Sequence, residues 1–192
     1  MDIRYKIQFH AYWHCGSGLA AGPDVDLLVV KDKDGLPFVP GKTIKGLVRD
    51  AAQILGYNDP SFDQLFGTLA HRSETFFTDA TMLEDEKIFV LSEDDRVLSE
   101  DDRVLSKSDR VNYLYESLSA TQIDDDGLAK NNSLRKVQVV VPCMLEGMII
   151  DVPESMQEAV ENCLKYIKRL GSWRTRGLGR CTISIVKEGG DK

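Results

Sequence analysis

Three cations occur at helical spacing in the first half of the chain, directly after a proline–glycine pair. They are Lys42, Lys45 and Arg49, and they follow Pro40-Gly41. Residues three and four apart share one face of an α-helix, so the spacing predicts a cationic face near a helix start. A helix N-terminus also carries unpaired N–H groups and the positive end of the helix dipole. The pattern therefore predicts a site for phosphate or another anion.

The Gly41-Lys42-Thr43 triplet resembles part of a nucleotide-binding P-loop, but the spacing around it does not fit. A P-loop needs a glycine five residues before its second glycine, and Leu36 holds that position. Pro37 and Pro40 also lack the N–H groups that such a loop places around a phosphate. The sequence thus disfavours an NTPase. It leaves an anion-binding helix, or an amphipathic helix whose basic face is only solvated.

A second cationic segment, residues 171–180, combines three arginines with three glycines and is called the glycine-rich loop below. Glycine lets a backbone approach a ligand closely, and arginine offers forked donors to phosphate. Trp173 and Leu178 are available for stacking or apolar contact with bases. This composition is typical of a groove for single-stranded RNA. The alternative is a tight helix-to-strand connection with solvated arginines.

Two aspartates, Asp24 and Asp26, stand two residues apart after a glycine-containing loop and before an apolar segment. In extended backbone they would face the same side. A carboxylate there is suited to hold a divalent metal, or to position a 2′-hydroxyl for in-line attack on RNA. The alternative is an ordinary solvated acid in a loop.

The histidines and cysteines form no recognisable catalytic or metal-binding pattern. His10 and His14 would lie about 13 Å apart along a strand at about 3.3 Å per residue, too far to share a metal or a proton. His71 falls in a predicted loop, and no Ser/His/Asp or Cys/His arrangement is present. The four cysteines lack Cys-x-x-Cys spacing, which favours free thiols in a cytosolic protein over a zinc site.

Composition predicts one domain over residues 1–192, with a sizeable core and no membrane span or signal peptide. The formal net charge of −7 argues at first against a nucleic-acid partner. Much of the acid, however, falls in the middle of the chain, while cations gather at residues 42–49 and 165–180. A locally basic groove is therefore compatible with the overall charge.

Periodicity and turn residues predict the elements that would position these side chains. Residues 92–98 recur identically at 99–105, within a charged and solvated insertion at about 84–111. The order of the elements predicts a ferredoxin-like (RRM-like) α+β fold, an antiparallel sheet with helices on one face. The predicted strands are 3–13, 27–30, 37–39, 74–78, 136–141, 148–152 and 181–186, and the predicted helices are 43–55, 59–66 and 154–170.

Taken together, these segments resemble the RAMP superfamily of CRISPR-associated proteins, and most closely the backbone (Csm-type) subunit of type III effector complexes. The resemblance covers most of the chain outside the insertion. The combination of the proline–glycine–lysine helix start with the glycine-rich loop makes it specific. It is carried by residues 16–18, Asp26 with 29–32, 35–49, 77–80, 123–135 and the glycine-rich loop.

The resemblance implies an RRM-like core that polymerises along a CRISPR guide RNA, beside target RNA and other subunits of the complex. The helix at 43–55 and the glycine-rich loop would line the guide backbone. A thumb-like hairpin at about 113–139 would wedge between bases. The aspartate matching Asp26, with Asp24 as the competing assignment, would support target RNA cleavage dependent on a divalent cation such as Mg²⁺. The acidic run 124–126 departs from the more basic pattern of the family there.

We therefore predict a cytoplasmic, guide-RNA-binding subunit with metal-dependent endoribonuclease activity within the complex. Two alternatives stay open. One is a structural RAMP subunit that binds RNA and its neighbours without cutting, and the other is a metal-independent, guide-processing endoribonuclease that uses His10 or His14. The predicted RNA-binding residues are Lys42, Thr43, Lys45, Arg49, Arg135, Arg174, Arg176, Gly177, Gly179 and Arg180.

Overall fold

The structure, a computed structural model, describes residues 1–19, 25–57, 62–68, 71–91 and 107–186. Two short 3-10 turns, Glu154–Met156 and Arg174–Arg176, accompany the regular elements. In chain order these are β1 (Ile3–Phe9), α1 (Gly41–Ile54), α2 (Phe62–Phe66), β2 (Phe76–Phe77), β3 (Thr81–Met82), α3 (Glu84–Leu91), α4 (Lys107–Asn112), β4 (Tyr115–Ala120), β5 (Arg135–Val140), β6 (Met144–Ile150), α5 (Gln157–Tyr166) and β7 (Cys181–Val186).

The main sheet has the strand order β2-β6-β1-β7, and β3 pairs with β6 beyond the end of β2. Every one of these pairings is antiparallel. Two β-α-β units build it: β1 leads through α1 to β2 and β3, and β6 leads through α5 to β7. This arrangement is the ferredoxin-like fold, so the predicted fold class is confirmed.

The core lies between this sheet and the helices α1 and α5. Alternate residues of β1 are buried, among them Tyr5 and Ile7, because successive side chains of a strand point to opposite faces. Helix α1 turns Ile44, Val48 and its two alanines inward at helical spacing. These apolar contacts hold α1 on the sheet and leave its other side free to line a surface.

Some predicted elements are shorter than their sequence patterns suggested. The first strand ends at Phe9, and Trp13 instead pairs with Val140 of β5. The last helix ends at Tyr166, because Ile167 is extended and leads to an antiparallel bridge between Arg169 and Arg180. The predicted strands at 27–30 and 37–39 contain only isolated bridges. Long-range partners therefore decide where these elements end.

A two-stranded antiparallel hairpin, β4–β5, stands apart from the main sheet. It falls within the segment predicted as a thumb. Val137 and Val139 of β5 form a small buried cluster with Leu178 of the glycine-rich loop, and Leu118 and Trp173 pack against it. The hairpin and the loop are thus joined by an apolar contact of their own.

The charged insertion predicted at about 84–111 is described only at its two ends. Val90 of α3 and Arg110 of α4 are both buried, and Arg110 donates from Nε to the Val90 carbonyl at 3.2 Å. These ends therefore pack against the protein instead of lying in solvent, while residues 92–106, which include both copies of the repeat, fall outside the described residues. Over the described ranges, we find no helix with both the length and the apolar character needed to cross a bilayer.

Candidate nucleic-acid interface

Helix α1 begins against an internal carboxylate. Pro40 precedes its first residue, Gly41, whose N–H donates to Asp79 Oδ1 at 2.8 Å. Gly41 is buried against the backbone of Phe77 and Thr78, where any Cβ would collide with carbonyl oxygens. Because Asp79 already provides an anion near the positive end of the helix dipole, the helix start acts mainly through its side chains. The sequence predicted an anion site formed by backbone N–H groups and cationic side chains. In the structure the Gly41 N–H is already bonded to Asp79, so the side chains are the part left for an external anion.

The three cations of α1 have separate environments. Lys42 is exposed, whereas Lys45 is half-buried with Nζ 5.9 Å from the Phe77 ring centre. Burial, and secondarily the nearby Arg49, lowers the pKa of Lys45. Arg49 donates from Nη2 to the carbonyls of Phe66 and Gly67, at 3.2 Å each. Arg49 thus ties α1 to the end of α2, so the three cations of this helix have different partners.

The glycine-rich loop is shaped by contacts within the chain. Gly171 has φ 93° and Gly179 has φ 73°, and a Cβ at either would collide with a backbone carbonyl, of His14 or Leu170 respectively. Gly177, with φ 89°, has open space around it. Two of the three glycines therefore serve internal packing, and only Gly177 leaves backbone open to a ligand.

A groove of about 490 Å³ lies between the start of α1 and the glycine-rich loop. Its cations come from the two segments singled out in the sequence, Lys42 from α1 and Arg174 from the loop. The hydroxyl-bearing residues Ser17, Thr43 and Ser172 also line it. Two cations surrounded by hydroxyl groups form an arrangement that suits the oxygens of a sugar–phosphate chain.

A second groove, of about 710 Å³, lies on the other side of the loop, against the hairpin. Lys130, Arg135 and Arg176 line it together with Trp173, over whose ring the Arg176 guanidinium lies at 5.3 Å. Trp173 is half-buried, and Leu178 is buried beneath the hairpin. Leu178 is thus unavailable to bases, contrary to expectation, and Trp173 is the aromatic side chain of this groove.

Arg180, the last predicted RNA-binding arginine, lies at neither groove. It is exposed at the start of β7, and its carbonyl accepts a hydrogen bond from the His10 N–H at 2.8 Å. The loop thus directs Arg174 and Arg176 to different grooves and leaves Arg180 at the sheet edge.

Asp26 is exposed where the 25–30 segment meets the hairpin. Its Oδ2 accepts the Lys136 N–H at 2.7 Å, and its own N–H donates to the Lys136 carbonyl at 2.9 Å. The competing Asp24 falls outside the described residues. Within the described residues there is no group of three His, Cys, Asp or Glu side chains able to hold a metal ion. The donor set there does not fit a preformed Mg²⁺ site.

The two histidines considered for catalysis differ in access. His14 is 2% exposed, and its Nδ1 lies 2.7 Å from the Gln138 carbonyl, so it cannot reach RNA. His10 is exposed, with Nε2 2.9 Å from Thr182 Oγ1. All four cysteines are free. Burial raises the pKa of Cys15 and of Cys143 to about 12, so these are unreactive structural thiols.

Sequence reasoning missed two residues of the first groove, Gly46 and Asp50. The signal was present, because both follow Lys42 at intervals of four and therefore continue along one face of α1. In the sequence alone, a glycine in the middle of a predicted helix and an acid in line with a lysine are each unremarkable. Gly46 and Asp50 become residues of one groove only because the fold places the glycine-rich loop opposite them.

Comparison with known proteins places this geometry in a family. The family model described as the RAMP superfamily matches residues 6–182. Comparison with curated proteins gave no match.

Two solved structures have the same fold over nearly their whole length. One is a chain of the type III-B Cmr-beta complex bound to cognate target RNA, with 11% identity, a TM-score of 0.71, and coverage of 96% of this chain and 97% of that chain. The other is a chain of type III-B Cmr-beta in the apo state, with 15% identity, a TM-score of 0.70, and coverage of 98% of each chain. The family match extends over most of the sequence, and the chain belongs to the RAMP superfamily.

Proposed function

We propose that this protein is an RNA-binding subunit of a type III CRISPR effector complex. The observation that carries the proposal is the first groove, which is lined by Lys42 and Arg174 from distant parts of the sequence. One structural neighbour belongs to a complex bound to target RNA, which supports the same partner class. This function requires three partners: guide RNA, target RNA and neighbouring subunits. The proposal also places the protein in the cytoplasm and at a Csm-type backbone position in the complex.

The arrangement favours contact with the RNA backbone over reading of its sequence. Lys42 and Arg174 would bind phosphate oxygens, and contacts to phosphate carry no information about the base sequence. The second groove adds Arg135 and Arg176 beside Trp173, where an unstacked base can find an aromatic surface. Binding of this kind tolerates many guide and target sequences.

Replacement of either groove cation tests the RNA-binding proposal. In the full-length chain, Lys42→Ala or Arg174→Ala is expected to lower the affinity for a labelled oligouridylate about fivefold or more, since a phosphate contact is lost. Lys33→Ala is the matched control, because the Lys33 side chain is 90% exposed and lines neither groove. Fluorescence anisotropy titrations measure all three. Equal losses in the groove and control variants would contradict the proposal.

We further propose that Asp26 takes part in cleavage of the target RNA. Its carboxylate is exposed and accepts a hydrogen bond from the Lys136 N–H, near the start of β5. The divalent-cation dependence belongs to this proposal, although the described side chains form no group of three metal ligands and further ligands would have to come from elsewhere.

Asp26→Asn separates catalysis from structure, because the amide oxygen still accepts the Lys136 N–H while the negative charge is removed. Cleavage of a labelled target RNA by the assembled complex is expected to fall at least a hundredfold, with the melting temperature and RNA affinity unchanged. EDTA is expected to abolish the activity of the unaltered protein. Undiminished cleavage by the Asn variant would show that Asp26 is not catalytic, and cleavage that persists in EDTA would favour the His10 alternative.

A non-catalytic RAMP subunit is the second candidate function. It is favoured by the donor set, since the described residues include no group of three side chains suited to a metal. In that case the Asp26 contact to Lys136 serves only to fix the hairpin on the core. Absence of cleavage by the unaltered protein within an assembled complex would support this function.

A further inference from the structure

One side of the first groove is a stripe of α1 composed of Lys42, Gly46 and Asp50. The interval of four residues places them on one face of the helix. At about 1.5 Å per residue, Asp50 lies about 12 Å along the axis from Lys42. If one phosphate of an RNA strand binds Lys42, the nucleotide that lies next to Asp50 is therefore a different one.

Gly46 has no internal reason to be glycine. It is exposed in the middle of α1, and a Cβ built there meets no atom within 4 Å. Gly41 in the same helix differs, because its Cβ would collide with the Phe77 carbonyl. Glycine is a poor helix former, so a helix interior carries one at a cost in stability. Its position at the groove suggests that close approach of a ligand to the helix backbone offsets this cost.

Asp50 is an anion in a groove whose cations are suited to phosphate. It is exposed, lines the groove together with Lys42 and Arg174, and forms no ion pair within the described ranges. A carboxylate repels phosphate, so its placement weakens generic binding of polyanions. An ionised carboxylate only accepts hydrogen bonds, and the 2′-hydroxyl of ribose is a donor that deoxyribose lacks.

We propose that Gly46 and Asp50 form a ribose subsite, in which the backbone at Gly46 admits the sugar and the Asp50 carboxylate accepts a hydrogen bond from its 2′-hydroxyl. The groove then selects RNA over DNA, with Lys42 and Arg174 supplying affinity and Asp50 supplying the discrimination. The inference rests on the proposed RNA-binding function.

The test compares three labelled uridine oligomers of equal length, with ribose, deoxyribose and 2′-O-methylribose. The unaltered full-length chain is expected to bind the ribose oligomer about tenfold more tightly than the other two, because both of these lack the donor. Asp50→Ala is expected to weaken RNA binding and strengthen DNA binding, so that the RNA-to-DNA affinity ratio approaches one. A purely structural role of Asp50 would instead lower both affinities together.

Gly46→Ala tests the second part of the subsite. Alanine favours the helix, so the melting temperature is expected to stay or rise while RNA affinity falls severalfold. Gln53→Ala is the control, since Gln53 is exposed on α1 and outside the groove, and it should leave the affinity unchanged. RNA binding by the Gly46 variant equal to that of the unaltered protein would overturn the close-approach role.

The possible failures are distinguishable. An unaltered protein that bound both RNA and DNA, with an affinity ratio that Asp50→Ala left unchanged, would overturn the ribose subsite and leave the RNA-binding function standing. An unaltered protein that bound neither oligomer would overturn both.

Discussion

At the scale of single residues, Gly177 and Gly179 have similar backbone angles but differ in the space available for a side chain. Their φ values are 89° and 73°, both in the left-handed region. A Cβ at Gly177 would meet no atom within 4 Å, whereas a Cβ at Gly179 would overlap the Leu170 carbonyl. A side chain at the first position is disfavoured by conformation alone, and one at the second by conformation and collision together.

Alanine at these two positions should therefore give different losses of stability. Gly177→Ala is expected to lower the free energy of unfolding by about 1 kcal/mol, the cost of a left-handed alanine. Gly179→Ala is expected to lower it by about 3 kcal/mol or more, because the Leu170 backbone must also move. Urea denaturation of both variants measures the difference. Equal losses would contradict the proposed close approach between Gly179 and Leu170.

Residue-level reasoning from the sequence singled out Lys42 and Arg174 because helix spacing and loop composition are local signals, and the structure places both at the first groove. It did not show the partners of Arg49, the carbonyls of Phe66 and Gly67, and the role of Arg49 in RNA binding stays a prediction. It also missed Asp79 at the start of α1, which comes from a segment 38 residues further along the chain. Side-chain spacing shows which face of a helix a residue occupies, but not what the fold places opposite that face.

At the scale of elements, local sequence patterns predicted the helices and strands whose ends depend on residues within the element itself. Strand β7 has the predicted limits, and α1 (Gly41–Ile54) starts two residues before the predicted 43 and ends one residue before the predicted 55. The segments at 27–30 and 37–39 did not become strands, because each is paired only at single points. Val29 bridges to Gly16 and Leu27 to Val137, whereas Pro37 bridges to Lys31 and Val39 to Ala80. Such pairings depend on the placement of the hairpin and the sheet edge, which the alternation of residues does not encode.

The contact between the hairpin and the glycine-rich loop is the element-scale feature on which the second groove depends. Leu178, 6% exposed, is the loop side chain buried in the cluster with Val137 and Val139, and Trp173 packs against that cluster. Replacement of Leu178 by alanine removes most of that contact. The hairpin and the loop should then no longer be held at a fixed distance, so the groove between Arg135 and Arg176 should vary in width.

Leu178→Ala is therefore expected to lower the free energy of unfolding by about 2–3 kcal/mol, as for other buried leucines. RNA affinity should fall as well, because the hairpin cations are no longer held opposite the loop. Leu128→Ala, at a hairpin residue that is 67% exposed, is the control and should change stability by less than about 0.5 kcal/mol. Thermal unfolding and anisotropy titrations test both effects. RNA affinity unchanged by Leu178→Ala would separate the hairpin from RNA binding.

At the scale of the whole molecule, charge is distributed so that an acidic protein offers basic surfaces. The chain has a formal net charge of −7, with acidic runs at residues 84–86 and 124–126. The cations of the two grooves instead come from α1, the hairpin and the glycine-rich loop. The fold and the apolar contact between the hairpin and the glycine-rich loop bring these three parts of the sequence together. The acidic remainder disfavours binding of RNA elsewhere on the surface.

The dependence of RNA affinity on salt tests this account most directly. Counterion release makes the logarithm of the affinity fall linearly with the logarithm of the salt concentration, with a slope of about −0.7 per phosphate contacted on a single strand. The unaltered full-length chain should show a steep slope. Lys42→Ala combined with Arg174→Ala should make it shallower by about 1.4, the share of two phosphate contacts. A slope unchanged by the double substitution would contradict the assignment of this groove as the RNA site.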